Sequence, residues 1–168
     1  ERLAVNGGDP VITESLPGGA AARSLIDERE VDAVSDVIRS GDLFRFADHA
    51  NSNCTQFERE ACDYLGVKYG LLVNSGTNAI LSALVGLGVG PGDEVIVPAY
   101  TYIATASAIV SAGAVPVIAE IDESLGLDPE DVARKITPYT KCIMPVHMQG
   151  VPVRLNDIRK VAEEHGID

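Results

Sequence analysis

Basic side chains are in short supply: 13 Lys and Arg stand against 25 Asp and Glu, leaving a formal charge of −12 over 168 residues. A field of that sign repels phosphate backbones and anionic lipid alike, which argues against a nucleic-acid or membrane-surface partner. Long apolar runs are missing too. No stretch approaches the roughly 20 apolar residues that a membrane span needs, and no basic, apolar and small-residue succession marks a secretory leader. Cysteine is sparse and odd in number. Cys54, Cys62 and Cys142, with His49, His147 and His165 as the only histidines, lack metal-ligand spacing, so they give no zinc site and read as small reduced thiols. These absences point to a soluble, cytoplasmic protein. What the chain does have is 46% apolar content, enough for the core of one ordinary domain and too much for a disordered chain.

Residues 1–23 are rich in Gly and Pro (Gly7-Gly8-Asp9-Pro10, Pro17-Gly18-Gly19) without a sustained period, and are expected to form an extended arm. Regular patterning follows. Asp27 with Glu30 is a capping-box pair, after which Val31, Val34 and Ile38 share one helical face until Gly41. Thr55 with Glu58 repeats the signal ahead of Phe57, Ala61 and Leu65, with Gly66 as the stop. Strands and helices then alternate. Strands are predicted at Tyr69 to Val73, Glu94 to Val97, Val115 to Ala119 and Cys142 to Val146. Helices are predicted at Asn78 to Leu87, Thr101 to Ala112, from Asp128-Pro129, and at Asn156 to Glu164. Apolar strands separated by helices specify an α/β fold, with a mixed, mainly parallel sheet covered by helices. The glycines after successive helices (Gly41, Gly66, Gly88, Gly113, Gly166) suit left-handed C-terminal caps.

Two familiar nucleotide sites are excluded. The cluster Gly86, Gly88, Gly90 and Gly92 follows a helix and precedes a strand, the reverse of a dinucleotide loop, and no Walker sequence is present. The informative turn is Val73-Asn74-Ser75-Gly76-Thr77-Asn78-Ala79, between a predicted strand and a helix start. Backbone N–H groups there, with the Ser75 and Thr77 hydroxyls, suit a phosphate; the alternative is that Ser75 or Thr77 caps the helix. Pro98 to Thr105 follows the next strand, so it emerges at the same carboxyl edge, where ligands of parallel sheets bind. Tyr102 in that segment either stacks on a flat ring or packs locally.

These segments, and the stretches FEREACDYLGVKY (57–69), NSGTNAI (74–80), GVGPGDEVIVPAYTY (88–102), AGAVP (112–116), ITPYTK (136–141) and PVHMQG (145–150), make the chain similar to the amino-terminal part of the DegT/StrS-type aminotransferases. The resemblance implies part of the large domain of the fold-type I architecture over residues 24–168, with the C-terminal part of that domain and the small domain not included in it, and a homodimer. It implies pyridoxal 5'-phosphate as cofactor, with Gly76, Thr77 and Asn78 matching the phosphate turn and Tyr102 matching the aromatic that flanks the pyridine ring. Asn78 departs from the family's usual small residue. The implied reaction transfers an amino group from an amino acid, glutamate or glutamine, to a keto sugar, nucleotide sugar or cyclitol. The stretch Gly41 to Phe46 matches a region that shapes the substrate pocket, where Phe44 and Arg45 are the candidates. No catalytic residue is assigned within the chain. The family's Schiff-base lysine is expected beyond Asp168, Lys68, Lys135, Lys141 and Lys160 match no lysine motif, and the absence of an initial Met suggests a fragment. Two other outcomes stay open: a lysine-less sugar dehydratase of the same superfamily, and a non-catalytic fragment that binds a partner or dimerises. His147 is expected to shape the site or pack locally.

Overall fold

The computed structural model describes residues 2–10, 13, 25–46 and 52–167. Two compact units divide the chain, residues 1–70 and 71–168. In the first, Ala4–Asn6 forms a single 3-10 turn, and most of the segment expected as an arm lies outside the described residues. Helix α1 spans Glu28–Ser40 and opens on the predicted capping box. Asp27 accepts from the Arg29 N–H at 2.9 Å, and the Asp27 N–H donates to Glu30 at 2.8 Å. Helix α2 spans Asn53–Leu65, and its cap differs from the expected one. Ser52 occupies the N-cap, its Oγ accepting from the Thr55 N–H at 3.2 Å, so Thr55 is the third residue of the helix and is buried there. The Thr55/Glu58 spacing imitates a cap, but a serine three residues earlier already serves the exposed donor. Both helices end at left-handed glycines, Gly41 and Gly66.

The second unit is built around a parallel sheet of three strands, β1 (Glu94–Pro98), β2 (Val115–Ala119) and β3 (Thr140–Ile143), in the order β2-β1-β3. Central β1 is buried on both faces, which explains its continuous apolar run. Val95 and Val97 pack with Leu84 of α3 (Gly76–Gly86) and with Ala108 and Ile109 of α4 (Ala104–Ser111). Ile96 faces the other way, onto Val132 of α5 (Pro129–Lys135) and Ile158 of α6 (Leu155–His165). Strand period two therefore splits the core into two layers, with a helix pair on each face of the sheet. Helix α5 opens as the Asp128-Pro129 dipeptide requires, Asp128 accepting from the Glu130 N–H at 3.1 Å.

The strand expected over Tyr69 to Val73 is not formed. That segment lies outside the three-stranded sheet, and Tyr69 and Leu71 are exposed. Its apolar content signals burial, whereas strand formation depends on a neighbour to pair with. The other predicted elements are present with ends moved by a few residues. The ends that move most are the start of the fourth helix, at Ala104 because Thr101 to Ile103 form the turn that leaves β1, and the end of β3, at Ile143 rather than Val146.

Candidate functional site

All three strands are parallel, so their carboxyl ends share one edge of the sheet. The segments after β1 and β3 leave from that edge, and α3 contributes its amino terminus to the same place. Together they enclose a cleft of about 610 Å³. Gly76 and Thr77 come from α3, Thr101, Tyr102 and Thr105 from the turn and start of α4, and Met144 to Met148 from the segment after β3. The cleft sits where a doubly covered parallel sheet places its ligands.

One end of the cleft is rich in hydrogen-bond donors. Ser75 is the N-cap of α3, and its Oγ accepts from the Asn78 N–H at 3.2 Å. That bond spends the third donor of the first turn and leaves the N–H groups of Gly76 and Thr77, which have no acceptor within the helix, together with the positive end of the helix dipole. A Cβ added at Gly76 would meet nothing within 4 Å. The Asn78 side chain is engaged locally, donating to Asn74 Oδ1 at 2.6 Å. Ser75 and Asn78 thus shape the turn, and Gly76 and Thr77 border the cleft. Tyr102 borders it too and is 72% exposed. Beside Tyr102, Thr101 and Thr105 share a hydrogen bond of 2.8 Å between their hydroxyls, and Thr105 is buried.

At the β3 side the wall carries Met144, Pro145, Val146, His147 and Met148. His147 accepts the Val153 N–H on Nδ1 at 3.2 Å. The chain returns to Val153 through a tight turn in which Gln149 (φ 55°) and Gly150 (φ 80°) are both left-handed. Thr101, Thr105 and the two methionines line the cleft in addition to the residues expected from the sequence. The signal for the threonines was their spacing of four at a helix start. Nothing local announced the methionines, which face the cleft only because β3 ends beside β1.

Phe44 and Arg45 belong to the first unit. They line a hollow of about 220 Å³ there with residues of α1 and α2. Arg45 forms a half-buried ion pair with Glu58 and lies 5.3 Å from the centre of the Phe46 ring. No lysine lines the cleft of the second unit. Lys160 pairs with Glu164 at 3.9 Å, and Lys68 lies over the Tyr69 ring. Among the described residues no cluster of His, Cys, Asp and Glu can hold a metal ion, and no helix is long and apolar enough to cross a membrane.

The family model of the DegT/DnrJ/EryC1/StrS aminotransferases matches residues 24–168. The chain belongs to this family. Among other members, the GDP-perosamine synthase of Caulobacter vibrioides is 45% identical over 113 residues, 67% of this chain and 30% of that protein. The L-glutamine:2-deoxy-scyllo-inosose aminotransferase of Streptomyces kanamyceticus is 38% identical over 172 residues, covering 99% of this chain and 39% of the relative. A putative sugar aminotransferase of Streptococcus pneumoniae, solved in its PLP form, superposes with a TM-score of 0.75 at 34% identity, over 83% of this chain and 35% of that one. The chain therefore spans well under half the length of the aminotransferases it matches.

Proposed function

We propose that this chain supplies the cofactor cradle of a pyridoxal-phosphate-dependent aminotransferase. The observation that carries the reading is the convergence of Gly76, Thr77 and Tyr102 on one cleft in a member of this family. The donor set suits the cofactor. Two first-turn N–H groups and the Thr77 hydroxyl answer a phosphate, and the largely apolar wall beside Tyr102 answers a flat ring. When bound, the cofactor supplies the electron sink for amino transfer. This chain's residues anchor its phosphate and flank its ring, and we assign none of them the role of proton carrier.

Within the proposal, residues 24–168 are the leading part of the large domain of a cytoplasmic homodimer. The substrates are an amino-acid donor, glutamate or glutamine, and a keto sugar, nucleotide sugar or cyclitol. The relatives' names support that range, and Phe44 and Arg45 are retained as candidate substrate contacts. Titration with pyridoxal phosphate, followed by its absorbance, tests the reading with Gly76→Ala as the control. The added methyl meets no protein atom, so thermal stability is expected to hold, while crowding the anion at the N–H of Gly76 lowers affinity about tenfold, the effect of losing one hydrogen bond to a charged group. No saturable binding, or equal binding by the variant, would overturn the cradle.

A further inference from the structure

The cleft also borders an imidazole whose protonation pattern is set by the backbone. A main-chain N–H can only donate, so the 3.2 Å bond from Val153 to His147 Nδ1 requires a lone pair on that nitrogen. In the neutral ring the proton then resides on Nε2. The clamp is firm at its far end. Val153 is buried with Leu127 and Ile158, and its side chain packs against the backbone at Gly126. The near end is held as well, since the Gly150 N–H donates to the His147 carbonyl at 3.0 Å and closes the left-handed turn. With Nδ1 committed, the hydrogen-bonding capacity left to the ring is one donor, at a residue that borders the cleft beside Met148.

We propose that His147 is a ligand-binding residue whose Nε2–H donates to an anionic oxygen of the molecule in the cleft, the imidazole being oriented by the Val153 N–H. The proposal rests on the cofactor reading above and adds to it the residue on the β3 wall. The acceptor is an oxygen of the cofactor's phosphate or of its ring.

Two substitutions separate the clamp from the donor. His147→Asn keeps an acceptor for the Val153 N–H but falls short of the Nε2 position, whereas His147→Gln reaches that position with an amide N–H. Long-range proton–nitrogen correlation spectra of the intact protein are expected to show Nδ1 unprotonated and Nε2 protonated at mildly alkaline pH. The assigned methyl resonances of Met144 and Met148, which line the same cleft, then report titrations with pyridoxal phosphate and, separately, with inorganic phosphate. His147→Asn is expected to keep the amide of Val153 protected from exchange and to bind pyridoxal phosphate about tenfold more weakly, with part of the loss recovered in His147→Gln. A loss seen with both ligands assigns the acceptor to the phosphate, and a loss confined to pyridoxal phosphate assigns it to the ring. A protonated Nδ1, or wild-type affinity in His147→Asn, overturns the role of His147 alone. Wild-type protein that responds to neither ligand overturns the cofactor reading and this role with it.

Discussion

Asp131 shows how single side chains hold the fold around the cleft. It is 5% exposed, accepts the Glu120 N–H at 2.7 Å and pairs with Arg134 at 3.0 Å. The Glu120 N–H is the main cause of a carboxyl held below its ordinary value, with Arg134 acting in the same direction and burial opposing both. Asp122 is lowered likewise, chiefly by the Ser124 hydroxyl and also by Arg154. A carboxyl whose folded pKa lies below its unfolded one stabilises the fold fully above the unfolded value, and that contribution is lost as pH falls through the folded value. Asp131→Ala is therefore expected to cost about 1–3 kcal/mol at neutral pH, through the lost charged hydrogen bonds. The gap from wild type should narrow below about pH 4, where the unfolded carboxyl takes up its proton. Urea denaturation at both pH values measures it; a gap that is the same at both would show that ionisation of the carboxylate contributes nothing, and one that widens in acid would reverse the sign of its shift. At this scale much of the candidate site was legible, because Gly76, Thr77 and Tyr102 occupy short motifs whose chemistry is local. The fate of Asn78 was not, since its amide is held by Asn74, and neither was the clamp on His147, whose partner lies six residues further along behind a left-handed turn.

Elements were legible where sequence and pairing agree. Val115–Ala119 forms as the predicted strand, and the Asp27/Glu30 and Asp128-Pro129 signals open α1 and α5. Those features depend on neighbours within four residues or on burial that leaves an apolar imprint. Tyr69 to Val73 carries the imprint without joining the sheet, and Thr55 carries cap spacing that Ser52 already fulfils. Neither outcome is encoded within the segment itself. The turn between β2 and α5 offers a direct test of how tightly elements are fitted. A Cβ at Gly126 would stand 2.7 Å from a methyl of Val153 and 3.1 Å from Ser124 Oγ. Gly126→Ala is expected to destabilise the second unit by about 1–3 kcal/mol, the usual cost of overpacking, measured by chemical denaturation. A variant as stable as the parent would mean that Val153 moves freely, which would also loosen the clamp on His147.

Across the whole chain, the buried large apolar side chains among the described residues all lie in the second unit, while α1 of the first buries none and exposes Val31, Val34 and Ile38. Burial on this pattern predicts uneven local stability. Hydrogen exchange of the intact protein is expected to be slowest in β1 and its two neighbouring strands and markedly faster in α1. Equal protection would show that the apolar face of α1 is covered in solution, as a homodimer would allow. The fold class was the most legible feature of all, because it follows from the order of elements and the apolar strands rather than from any one boundary. The same cleft has one more property. Both methionines of the chain, Met144 and Met148, stand on its wall, and oxidation of a thioether replaces a flexible apolar group with a polar, chiral sulfoxide. Oxidation at these two positions would thus turn the apolar side of the cleft into a wetted one, on the wall proposed to face the cofactor's ring.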